Sequence, residues 1–225
     1  MADGILYLVG TPIGNLEDIT LRALNVLKEV DVIAAEDTRE TLKILSHYEI
    51  KKRIIAFNEY NKIKSAQQLI QMLIEGKSVA ITCDRGTPGI SDAGVFLVKK
   101  AIEKGINTVS IPGPTALITA LVVSGLDTDS FIFEGFLPRK DSKLRKFFDS
   151  VKEEQRTLVF YESPYRVKRT LKEMLEGLGD RNIAVCREMT KKFEEILRCK
   201  TSQAVMHFEE NEPVGEFTIV VEGAK

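Results

Sequence analysis

Residues 5–27, ILYLVGTPIGNLEDITLRALNVL, pass from an apolar run, Ile5 to Val9, through a loop opened by Gly10 into a segment where Leu21, Leu24, Val26 and Leu27 recur at helical spacing. That is a strand, a glycine loop and a helix, and the order then repeats. Val30–Ala35 reads as a strand and Thr38 to about His47 as a helix; Ile54–Phe57 is followed by a helix over Ser65–Glu75. Val79–Cys83 leads into Phe96–Lys104, and Thr108–Ile111 into Thr115–Val123. Five such alternations predict an α/β fold with a mostly parallel sheet and helices on its faces.

The small and acidic residues of SGLDTD, 124–129, interrupt both periodicities and mark a junction. Beyond it, Phe131–Phe133, Thr157–Tyr161, Ile183–Cys186 and Phe217–Val220 read as strands. Helices are predicted near Leu144–Val151, Val167–Leu175 and Thr201–Phe208, with Gly177, Gly179 and Asp180 forming a helix C-cap and turn. Two α/β domains are expected, residues 1–116 and 117–225.

The composition removes several classes of function. With 32 Lys and Arg against 33 Asp and Glu, the 225-residue chain carries a net charge of −1, so there is no global footprint for DNA or any other polyanion. The three cysteines, Cys83, Cys186 and Cys199, are odd in number and widely spaced, which speaks against a disulfide framework or a structural zinc site and for a cytoplasmic protein. The start MADGILYLVG has an acidic residue and no basic stretch before its apolar run, unlike a signal peptide. Ala116–Val123 falls far short of the roughly 20 apolar residues a membrane span needs. His47 and His207 have no Cys or Asp at ligand spacing, so no metal is expected.

Three loops follow predicted strands. The first, GTPIGN (10–15), lacks the third glycine of a dinucleotide fingerprint and the Lys-Ser/Thr of a P-loop. The second, CDRGTPGISDAG (83–94), places three glycines and a proline within nine residues, and Asp84 at the strand end is suited to a ribose or an amine. Ser91 or Asp92 would cap the next helix. In the third, IPGPTA (111–116), two prolines fix the backbone and Thr115 offers a hydroxyl at a helix start. Ligands of open α/β sheets bind at the carboxyl ends of strands, so the three loops together indicate a pocket more strongly than any one of them. Arg85 is the one basic residue in them, so a di- or triphosphate would lack charge partners. An uncharged or cationic nucleoside such as S-adenosylmethionine fits better.

In order, TPIGNLEDIT, CDRGTPGISDAG and IPGPTA resemble the tetrapyrrole methylase superfamily of S-adenosylmethionine-dependent methyltransferases. AAEDTR (34–39), FEGFLPRK (133–140), FYESPYR (160–166) and REMTK (187–191) are similar to one branch, whose members methylate the ribose 2′-hydroxyl of a cytidine in the RNA of the small ribosomal subunit. The resemblance spans essentially the whole chain. It implies a homodimer whose domains carry a mostly parallel sheet in 1–116 and a mixed sheet in 117–225, with the donor in the cleft between them. It assigns Ile13, Asp84, Thr87, Thr115 and Ala116 to the donor, with Tyr161 near its methionine portion and Met189 and Phe217 closing the pocket. Arg85 and Ala93 depart from the family, which commonly has alanine and proline there.

A ribose hydroxyl is a weak nucleophile, so a proton acceptor is expected beside it. The candidates are Asp37, Glu36, Glu162 and Lys191. Asp37 is equally suited to capping the helix that begins at Thr38, and Lys191 lies in a charged run, KKFEE, of the kind that usually forms a solvated face. Arg39 is read as a phosphate clamp or a partner of Glu36. Residues 137–172 hold eleven basic and five acidic side chains, so the positive charge is local. Arg139, Lys143, Arg145 and Arg166 are therefore expected to contact RNA phosphates, an ordinary solvated helix face being the alternative. Other readings of the same motifs are a methylase of a corrin or porphyrin carbon, a methylase of a translation factor, and a non-catalytic nucleotide-binding regulator.

Overall fold

The computed structural model describes residues 4–225; Asp3, used in reading the amino terminus, lies outside the described residues. The chain divides into two compact units at the bond between Thr115 and Ala116.

The first unit is built on β1 (Ile5–Val9), β2 (Val32–Ala35), β3 (Arg53–Ala56), β4 (Val79–Thr82) and β5 (Asn107–Ile111). All pair in parallel, in the order β3-β2-β4-β1-β5. β2 and β4 are buried along their whole length, which explains their unbroken apolar sequences. Helices α1 (Leu21–Glu29) and α2 (Thr38–His47) bury Ala23, Leu27, Ile44 and Leu45 with Val9, Ile33, Ala80 and Ile111. Helices α3 (Lys62–Ile74) and α4 (Gly94–Glu103) bury Leu69, Leu73, Leu97 and Ala101 with Leu6, Val32, Ala34 and Ile81. Each fully buried aliphatic side chain contributes about 1.5–3 kcal/mol, so these two layers hold the sheet between them. After β1 the chain runs towards β2, whereas after the adjacent β4 it runs the other way, towards β5. The helices that follow β1 and β4 therefore lie on opposite faces of the sheet, and the carboxyl edge where their loops meet is the switch point where open sheets bind ligands.

The second unit comprises α5 (Ala116–Ser124), β6 (Phe131–Phe136), α6 (Asp141–Ser150), β7 (Thr157–Glu162), α7 (Pro164–Leu178), β8 (Asn182–Arg187), β9 (Glu195–Lys200), α8 (Thr201–Glu210) and β10 (Phe217–Val221). Its sheet runs β6-β7-β10-β8-β9, parallel between β6 and β7 and antiparallel elsewhere. Leu144, Phe148, Val167, Leu171, Met174 and Phe208 from α6, α7 and α8 form a core with Leu158, Phe160, Val185, Phe217 and Ile219. Helix α5 packs on β7, β8 and β10.

Three local features differ from expectation. β9, with the sequence EILRCK, pairs only with β8, and as an edge strand it carries charges where a central strand would carry apolar residues, which hid it. β6 continues past Phe133 to Phe136 through a bulge at Gly135, whose φ is +64°. Gly177 lies inside α7 rather than in a turn, because a Cβ there would come within 2.7 Å of Phe148 Cβ; Gly179, at φ +80°, ends the helix.

Candidate active site

Three adjacent strands, β4-β1-β5, deliver the three loops of the first unit to one edge. The Thr11 amide donates to the Gly86 carbonyl at 2.8 Å, and the Gly86 amide returns a bond to the Thr11 carbonyl at 3.1 Å. The Thr11 hydroxyl lies 3.2 Å from the carbonyls of Cys83 and Gly86, tying the first loop to the second. The Gly10 amide donates to the Ile111 carbonyl at 3.1 Å, and a Cβ on Gly10 would lie 2.8 Å from Gly113 Cα. Only glycine allows the first and third loops to approach so closely. The Thr87 hydroxyl donates to the Pro114 carbonyl at 3.3 Å, joining the second loop to the third. Thr11 was passed over in the sequence; its only signal there is its place directly after the strand-end glycine.

Within this constellation Ile13 is 5% exposed, with its Cγ2 against Gly86. Asp92, not Ser91, organises the entry to α4, accepting from the amides of Gly89 at 2.9 Å and Gly94 at 2.6 Å. Ser91 takes a left-handed φ of +66°. Arg85 is exposed, and Ala93 is buried in the core with α4.

Carboxylates gather at the same edge. Asp84 Oδ1 accepts the Asp37 amide at 2.8 Å, and Glu36 Oε2 accepts the Asp84 amide at 3.3 Å, linking the ends of β2 and β4. Burial pushes both the Glu36 and Asp84 carboxyls above the usual range. Glu36 in the folded chain therefore binds a proton at a pH where the unfolded chain has lost it. The stability it contributes is complete below the unfolded value, about 4.3, and disappears as pH rises through the folded one. Glu36→Gln removes that titration, so the wild type should gain stability over the variant as urea unfolding is repeated from neutral pH down to about 4. A stability difference that stays flat with pH contradicts this assignment.

Asp37 caps α2 by accepting the Arg39 amide at 2.8 Å. The Arg39 guanidinium bonded to it, at 2.6 Å, holds its carboxyl down to about 2, which makes Asp37 a weak proton acceptor at neutral pH. Arg39 thus pairs with Asp37 and not with Glu36. Burial raises the Cys83 thiol, and that of Cys186 to about 11, so neither is a ready nucleophile.

In the second unit the Tyr161 hydroxyl accepts the Leu117 amide at 3.2 Å, and its ring meets those of Phe133 and Phe136. Thr115 and Ala116 are half-buried on either side of the boundary between the units. Met189 is 7% exposed, in a turn where Glu188 and Thr190 both adopt left-handed φ. Lys191 donates to Glu188 at 2.7 Å and Glu216 at 2.9 Å.

Several of the assigned side chains are engaged within the fold. Glu162 is fully buried and accepts the Ser163 amide, the Thr170 hydroxyl and, at 3.3 Å, the Arg166 guanidinium, so its oxygens are occupied inside the fold. Arg166 also donates to the carbonyls of Leu137 at 2.9 Å and Pro138 at 3.0 Å, which clamps that segment to the start of α7. Arg145 forms a two-pronged pair with Glu173 at 2.7 and 2.9 Å. Phe217 places its ring in the core, edge-on to Phe208. Arg139 and Lys143 are exposed. Among the described residues no group of three or more His, Cys, Asp or Glu is placed to hold a metal, and no helix is long and apolar enough to cross a membrane.

A parallel sheet with glycine loops meeting at its switch point, joined to a mixed-sheet unit, defines a class, and the family described as tetrapyrrole (corrin/porphyrin) methylases matches residues 5–205. The chain belongs to that family and, within it, to the ribosomal RNA small subunit methyltransferase I group. It is 50% identical over 220 residues to the protein of that name from Thermotoga maritima, covering 98% of this chain and 99% of the relative. The Halalkalibacterium halodurans protein is also 50% identical, over 98% of this chain and 76% of its own length. Two solved structures share the fold: a diphthine synthase (TM-score 0.73, 15% identity, 97% of this chain and 90% of that one) and a cobalt precorrin-4 methyltransferase (TM-score 0.71, 18% identity, 97% and 94%). Membership makes the chain a methyltransferase that uses a methyl donor.

Proposed function

We propose that this protein transfers a methyl group from S-adenosylmethionine to the ribose 2′-hydroxyl of a cytidine in small-subunit ribosomal RNA, acting as a homodimer in the cytoplasm. The observation that carries this is the half-sequence identity to ribosomal RNA small subunit methyltransferase I over 98% of the chain. Identity at that level to proteins of that name supports this substrate over the corrin, porphyrin and translation-factor acceptors first considered, which fold alone never separates.

The loops fit the donor. Their meeting is made by backbone groups and two hydroxyls, with carboxylates at the rim and Arg85 as the one basic residue of the three loops, an environment for a ribose and a sulfonium and a poor one for phosphates. Bound S-adenosylmethionine supplies a methyl group activated on a positively charged sulfur. Asp84 has an oxygen beyond its bond to the Asp37 amide to accept from a ribose hydroxyl. Ile13, Thr87, Thr115 and Ala116 shape the remaining contacts, while Tyr161 is assigned to the methionine end and Met189 to closing the pocket.

Orientation supplies much of the rate, since aligning nucleophile, carbon and leaving sulfur lowers the barrier by as much as about 7–11 kcal/mol. Of the groups first considered for accepting the proton, Glu36 has the raised carboxyl the role asks for, whereas Asp37 and Glu162 are committed elsewhere and Lys191 is held between carboxylates. RNA phosphates are assigned to Arg139 and Lys143. Incubation with methyl-labelled S-adenosylmethionine and three acceptors tests the substrate: small ribosomal subunits from cells lacking the gene, a porphyrin precursor and translation factors. Label is expected in subunit RNA alone; label in either other acceptor, with none in RNA, overturns the proposal.

A further inference from the structure

We propose that Phe136 and Tyr165 form an aromatic platform on which a base of the RNA substrate stacks, fixing the nucleotide whose ribose is methylated. Phe136 is 59% and Tyr165 97% exposed; Tyr60 and Phe193 are exposed too, but only the segments carrying Phe136 and Tyr165 are bonded to one another and flanked by a run of cations.

Their placement is built. Phe133 pairs with Val159 and Phe136 with Tyr161, so β6 carries one residue more than β7 between these pairs, and Gly135 absorbs it at φ +64°. In a regular strand two residues three apart, as Phe133 and Phe136 are, would face opposite sides of the sheet. With the extra residue both rings meet Tyr161, at centroid distances of 4.8 and 5.7 Å, and Phe136 still keeps most of its surface open.

Arg166, which follows Tyr165, donates to the carbonyl of Leu137, which follows Phe136, and to that of Pro138. One largely covered guanidinium therefore binds together the two backbone segments that present the exposed rings. Arg169 adds a bond to the Arg139 carbonyl at 2.9 Å and an ion pair with Asp141 at 2.9 Å, fixing the same loop a turn further along α7. The loop so held carries exposed Arg139 and Lys140, and exposed Lys143 and Lys146 follow on α6.

Aromatic faces beside unneutralised cations suit a single-stranded nucleic acid, whose bases stack on the rings while its phosphates meet the cations. A run of cations without an ion-pair partner among the described residues favours a polyanion over an apolar protein surface or a second copy of this near-neutral chain. The platform rests on the RNA substrate proposed above and adds what holds the nucleotide in register for transfer.

The test measures methyl transfer to small subunits from cells lacking the gene, and S-adenosylmethionine binding by calorimetry, for the wild type, Phe136→Leu, Tyr165→Leu and Tyr165→Phe. Each leucine variant should lower kcat/KM for subunits at least tenfold, most of it in KM, with donor affinity kept within about threefold. Tyr165→Phe, which keeps the ring, should match the wild type. Tyr165 is so exposed that its replacement leaves folding intact, so that variant decides the matter even if Phe136→Leu is unstable. Leucine variants that transfer as well as the wild type overturn the platform alone. So does a loss that follows donor affinity, or a change of oligomeric mass, either of which gives the rings to the donor or to another copy. A wild type that labels no subunit RNA overturns the substrate, and the platform with it.

Discussion

Gly113→Ala is expected to reduce methyl transfer about a hundredfold while the chain still folds. A Cβ at this position would lie 3.0 Å from Gly10 Cα, C and O, all backbone atoms with no side-chain freedom to move aside. The first and third loops must then part, which loosens the Gly10 amide from the Ile111 carbonyl beside it. Overpacking of this kind costs about 1–3 kcal/mol of stability. The larger effect falls on geometry, because a displacement of about 1 Å in a positioning loop is enough to lower a rate about 10²-fold. Single-turnover transfer, with donor affinity and the urea midpoint measured on the same preparation, separates the two effects. An alanine variant with wild-type turnover would show that the contact between the glycines does not matter to the site.

Glu162→Ala should act the other way, on stability more than on chemistry. The side chain is completely buried and its partners are the Ser163 amide, the Thr170 hydroxyl and the Arg166 guanidinium, itself only 17% exposed. Removing one member of a buried pair leaves the other charge without a counter-charge, a loss of about 3–5 kcal/mol. The urea midpoint should fall accordingly, and Glu162→Gln, which fills the same volume and keeps one acceptor oxygen for either the Ser163 amide or the Thr170 hydroxyl, should lose less. If Glu162→Ala instead keeps its midpoint and abolishes transfer, Glu162 belongs to the chemistry and its buried bonds are incidental.

The elements that could be read from sequence are those whose burial is uniform. VIAA in β2 and VAIT in β4 are apolar because both faces are covered, and α2 runs from Thr38 to His47 as expected because Asp37 caps it. β9 escaped because an edge strand with charged residues carries no alternation to detect. The bulge in β6 escaped because only its pairing with β7 makes Gly135 an extra residue. In the site, the glycine loops announced themselves, whereas the contact between Gly10 and Gly113, a hundred residues apart, has no local signature. Arg166 and Arg145 looked like phosphate ligands because sequence shows charge and not its partners; carbonyls claim one and Glu173 the other. Phe136 and Tyr165 stood in quoted motifs, but their exposure and the Arg166 bonds that join the segments carrying them appear only in the folded chain.

The most direct measurement of the central claim is nucleoside analysis after transfer. Small subunits from cells lacking the gene are incubated with the protein and methyl-labelled S-adenosylmethionine, and their RNA is digested to nucleosides and separated. The label should appear in 2′-O-methylcytidine, and should be lost with the Gly113→Ala variant in proportion to its turnover. Label in a base-methylated nucleoside, or none in the RNA at all, would contradict the account.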